Sequence, residues 1–118
     1  MQGHKDLTVW QKAMDLVTDI YRLTRAFPKQ ELYGLASQIQ RAAVSIPSNI
    51  AEGHALKQTQ AYLRHLAIAS GSLAELQTQI EIAGRLDYLK PEDGEVSKLA
   101  DEIGRMLAGL CRSFKPES

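Results

Sequence analysis

One cysteine in 118 residues, Cys111, excludes an internal disulfide, and a lone thiol cannot build a cysteine-based zinc site. That usage fits a reducing cytoplasm. Long apolar runs are also missing. The longest charge-free stretches, residues 42–51 and 65–74, are ten residues each, whereas a membrane span needs about 20. No apolar leader core follows the opening MQGHKDLTVW, so neither secretion nor a membrane partner is expected. Charge of one sign is absent as well: 14 Lys and Arg stand against 14 Asp and Glu. A neutral chain lacks the basic excess of a strong nonspecific nucleic-acid binder, so only clustered cations could make such a surface.

Devices for chemistry are equally scarce. There is no GxxxxGK[ST] loop and no GxGxxG, which removes the usual phosphate cradles. His4, His54 and His65 do not pair with one another or with an acid at helical spacing on one helix, so the Glu-x-x-His metal pattern of some bundles is missing. Ser45 and Ser48 have no His or Lys spaced to act as a base on their own face. The expectation is a non-enzymatic protein with no cofactor, no metal and no catalytic residue.

What is present is helical periodicity in one domain. Helices are expected over 8–27, 33–53, 59–88 and 92–114, joined by short loops around Pro28, Lys57 and Pro91. Thr8 and Gln11 have the spacing of a capping box at the first. In the third, Tyr62, Leu66, Ala69, Leu73, Leu76, Ile80 and Ala83 step by four and three, the seam of a helix packed nearly parallel or antiparallel to its neighbours. No strand-like alternation appears. The fold class that follows is all-α, an antiparallel up-down-up-down four-helix bundle. Pro47 lies inside the second helical pattern, where it removes a hydrogen bond at a cost of about 3 kcal/mol, so that helix is expected to be interrupted or kinked there.

Two features suggest contact surfaces. In the first helix Trp10, Met14, Val17 and Tyr21 read as the bundle seam, which leaves a spare apolar row of Val9, Leu16 and Leu23 as a candidate subunit interface. Around Pro47, the polar residues Arg41, Ser45, Ser48, Asn49 and Glu52 read as a structural network or interface that sets helix register. Lys12, Arg22, Arg25 and Lys29 make the first quarter net positive and are candidate nucleic-acid contacts. RNA or DNA, bound weakly, and a protein partner are the two alternatives for an external ligand.

The strings VWQKAMDLV (9–17), FPKQELYGLASQIQRAAVSIPSNIAEG (27–53) and YLRHLAIASGSLAELQTQIEIA (62–83) together resemble four-helix bundle proteins encoded in intervening sequences of bacterial 23S rRNA genes. The resemblance implies a homopentamer. It also implies kinship with accessory proteins of diversity-generating retroelements, which bind nucleic acid together with a reverse transcriptase. Arg41, Ser45, Pro47, Asn49, Glu52 and Gly53 are the positions it carries over, as structural or interface residues. With no net charge, this chain should hold nucleic acid more weakly than its basic relatives.

Overall fold

A computed structural model describes residues 3–114. Four helices account for most of it: α1 (Thr8–Thr24), α2 (Leu35–Ala55), α3 (Thr59–Arg85) and α4 (Gly94–Phe114). Short 3-10 turns at His4–Asp6, Lys29–Glu31 and Pro91–Asp93 precede α1, α2 and α4. Among the described residues there is no strand. Each helix packs on its sequence neighbours, and α4 returns to α1. Cross-helix pairs run in opposite directions: Thr24 meets Gln40 while Trp10 lies by Ala51, and Ser45 meets Ser72 while Asn49 meets His65. The all-α four-helix bundle expected from periodicity is the observed fold.

In α1 the core-facing residues are Val9, Ala13, Leu16, Ile20 and Leu23, continued by Phe27 beyond the helix. This corrects the expected interface. Leu16 has no exposed surface, and Val9 and Leu23 are 5% and 7% exposed, so the row is core and offers nothing to a second subunit. Two seams offset by one residue both have four-three spacing in this helix, and bulk alone favours the wrong one. Trp10, Met14, Val17 and Tyr21 form the outer seam, with Met14 and Tyr21 exposed and Trp10 and Val17 half-buried. Trp and Tyr each have a polar group to hydrate, which a fully aliphatic row does not.

Local details differ where side chains found other partners. Thr8 makes no capping bond. Gln11 instead donates through Nε2 to the Lys5 carbonyl at 2.8 Å, tying the preceding turn to α1. Helix α1 stops at Thr24 rather than near Phe27, because Pro28 disfavours helical geometry in the residue before it. At the start of α2 the cap comes from outside, as Glu31 Oε1 accepts the Leu35 amide at 3.1 Å.

Helix α2 continues through Pro47 without an interruption. Ala43, Ile46 and Ile50 have no exposed surface, and their burial on both sides of Pro47 outweighs the local loss of one backbone bond. Gly53, in the last turn of α2, admits α3 closely. A Cβ placed there would lie 2.6 Å from His65 Cβ and 3.1 Å from Tyr62 Cδ1. Beyond it, Tyr62 stacks edge-on with His54 and Phe114 at ring separations of 5.8 and 5.3 Å, closing that end of the bundle.

Candidate functional site

Three features of the surface bear on function: a polar chain between α2 and α3, an apolar strip between α1 and α2, and the corner where α1 turns into α2. The polar chain begins at Ser72, whose hydroxyl lies 2.7 Å from that of Ser45. Asn49 Nδ2 donates to the Ser45 carbonyl at 2.8 Å and to its hydroxyl at 3.1 Å. With the amide nitrogen so engaged, Asn49 Oδ1 lies 2.9 Å from His65 Nδ1 and accepts from it. His65 Nε2 then points at Glu52, 3.8 Å away.

Of the five expected network residues, Ser45, Asn49 and Glu52 are brought together. Ser48 is exposed and lines the hollow between α1 and α2 with Val44 and Pro47 instead, and Arg41 is exposed and has no ion-pair partner among the described residues. Ser72 and His65 complete the chain and were missed, because spacing along α2 says nothing of α3. The readable signal was polar residues on the facing seam of an antiparallel neighbour. Chemically the chain does not make a nucleophile: His65 is hydrogen-bonded to Asn49, not to Ser45, so it cannot take the Ser45 proton directly. What it does is match donors to acceptors in a single register of α2 against α3.

The apolar strip lies on the outer seam of α1. Trp10, Met14 and Val17 face Val44, Pro47 and Ala51 across a hollow of about 420 Å³, and His4 packs edge-on against Trp10 at 5.1 Å. This is the spare apolar surface anticipated for α1, displaced by one residue from the expected row.

The four expected nucleic-acid contacts separate into two pairs. Lys12 Nζ is held by Glu102 of α4 at 3.1 Å, and Arg22 by Asp19 at 3.2 Å. Arg25 and Lys29 are exposed and lack an ion-pair partner among the described residues. Both line a cavity of about 260 Å³ at the α1–α2 corner, with Tyr21, Phe27, Leu32 and Gln40. Residues 20–51 carry four basic side chains and one acid, Glu31. Both oxygens of Glu31 are occupied, Oε1 by the Leu35 amide and Oε2 by the Tyr88 hydroxyl at 2.9 Å. That bond, with burial and the carboxylate charge behind it, holds the Tyr88 hydroxyl above its ordinary pKa of 10.0.

Among the described residues no three His, Cys, Asp or Glu side chains gather to hold a metal ion, and no helix is long and apolar enough to cross a membrane. Fold and surface together define a small helical bundle with an exposed apolar strip and a cationic corner. The chain belongs to the 23S rRNA-intervening sequence protein family, whose model matches residues 5–109. Among solved structures it is similar to a protein of unknown function from the S23 ribosomal protein family of Bacteroides thetaiotaomicron. That likeness has a TM-score of 0.81 at 23% identity over 88% of this chain and 98% of the other, a correspondence of fold. No curated protein matches the chain.

Proposed function

We propose that the protein is a non-enzymatic, self-associating accessory factor of the cytoplasm that works by contact with nucleic acid. The observation that carries this reading is charge segregation within a neutral chain. Residues 20–51 hold four cations, of which Arg22 pairs with Asp19 just outside the stretch, and one acid, Glu31, which is already tied to Leu35 and Tyr88. Arg25, Lys29 and Arg41 are thus left to meet phosphate. Self-association is supported by the strip of Trp10, Met14, Val17 and Val44, and a ring of copies would multiply each exposed cation. Five copies are the expected number by resemblance to the family.

A salt titration of RNA binding tests the reading. Affinity should fall steeply between about 50 and 200 mM salt, and replacing Arg25 and Lys29 with Ala should flatten the slope by about two phosphate contacts. Absence of RNA and DNA binding at low salt would reject it. In its place would stand a protein-binding scaffold, a reading favoured by the apolar hollow beneath Trp10 and Met14.

A further inference from the structure

The corner cavity has more than cations. Tyr21 and Phe27 supply aromatic surface, and Gln40 an amide, while Arg25 and Lys29 complete the lining and no acidic side chain contributes to it. The amide is held in place: Gln40 Nε2 donates one hydrogen to Thr24 Oγ1 at 3.0 Å, and Thr24 Oγ1 in turn donates to the Ile20 carbonyl at 2.8 Å. One Gln40 N–H and its carbonyl oxygen remain, a fixed donor and acceptor side by side. That pair is what the edge of a nucleobase requires. The cavity measures about 260 Å³, just below the roughly 300 to 1,000 Å³ of ligand pockets. It therefore takes one ring, with the rest of the ligand outside on the cations. Next to Leu32 of the lining, Tyr33 is 92% exposed, a third aromatic ring at the same corner and open to solvent.

We propose that the α1–α2 corner seats one unpaired nucleobase of a single strand, stacked on Tyr21 with its edge on the Gln40 amide, and with the flanking phosphates on Arg25 and Lys29. This rests on the nucleic-acid reading above and narrows it from phosphate contact to single-strand recognition. A paired base is held within its duplex and cannot enter the hollow, so a duplex meets the cations only.

The test uses the full chain with a short fluorescent oligouridylate, its oligothymidylate counterpart and a blunt RNA duplex of equal length. Single strands should bind about tenfold more tightly than duplex, and Tyr21→Ala or Gln40→Ala should each weaken single-strand binding about tenfold while leaving duplex binding unchanged. Arg25→Ala with Lys29→Ala should weaken both. Circular dichroism of each variant verifies the fold. Equal affinity for strand and duplex, with Tyr21→Ala and Gln40→Ala silent, would overturn the pocket and leave the nucleic-acid reading standing. Failure of every probe to bind at low salt would remove both. Displacement of the oligouridylate by a polyglutamate peptide as effectively as by uridine monophosphate would also overturn the proposal, assigning the hollow to an acidic protein segment.

Discussion

Asn49 shows how a single side chain can hold two helices in register. Its nitrogen donates to Ser45 and its oxygen faces His65, so truncation leaves polar groups in both helices without their partners. Asn49→Ala should lower stability by about 1–3 kcal/mol, read as a shift in the urea midpoint with an unchanged slope. Gly53 acts through what it lacks. A methyl group there would collide with His65 Cβ at 2.6 Å, so Gly53→Ala should destabilise by about 1–3 kcal/mol even though alanine is the better helix former by about 1 kcal/mol. A thermal melt decides between the two effects: a raised Tm would mean that α2 and α3 separate at no cost. The polar residues of α2 stood out in the sequence because hydroxyls and amides interrupt an apolar seam. Ser72 and His65 were not legible as their partners, since hydrogen bonds between helices depend on register rather than on spacing within one helix.

For α1 the question is which of two apolar rows faces inward. The periodicity was legible; the phase was not, because Val9, Ala13, Leu16, Ile20 and Leu23 have the same spacing as Trp10, Met14, Val17 and Tyr21, one residue along. The assignment has opposite consequences for two pairs of variants. Leu16→Gln with Leu23→Gln should unfold the bundle, since each places an amide in a site with almost no exposure. Met14→Gln with Val44→Thr should leave the melting temperature nearly unchanged and dissociate the proposed assembly. Light scattering on a sizing column reads the second outcome as a fall in mass toward the 13.1 kDa chain. Persistence of the full assembly in the Met14 and Val44 variant would remove the strip from the interface. At Pro47 the helical pattern was also legible, but the burial of Ala43, Ile46 and Ile50 that offsets the local cost of proline was not.

The whole molecule is closed at one end by contacts far apart in sequence. Tyr88, after α3, donates to Glu31, before α2, and its ring packs on Phe27 at 5.3 Å. At the other end Tyr62 is buried, and burial, with a smaller contribution from Cys111, raises its hydroxyl above the ordinary value of 10.0. Both phenols hold their protons to higher pH when folded than when unfolded. Between the ordinary and raised values the folded chain binds more protons, so stability falls as pH rises. Their contribution is intact below pH 10.0 and is lost as pH climbs through the raised values. Chemical denaturation at a series of alkaline pH values should show this decline, and Tyr88→Phe should make it shallower. An identical decline in Tyr88→Phe would mean that the bond to Glu31 does not contribute to it.

By itself the sequence determined the helices, their number and the bundle class, because the apolar period of a helix is a local property that proline, glycine and short polar joints punctuate. It also determined the excess of apolar surface on α1 and the positive bias of the first quarter. Only the tertiary structure decided which row of α1 is core, which cations are neutralised and which polar residues meet. Lys12 is spent on Glu102, ninety positions away in the chain, and Arg22 on Asp19, while Arg25 and Lys29 stay open beside Gln40 and Tyr21. The physical reason is that a side chain's availability depends on what the fold brings within a few ångströms of it.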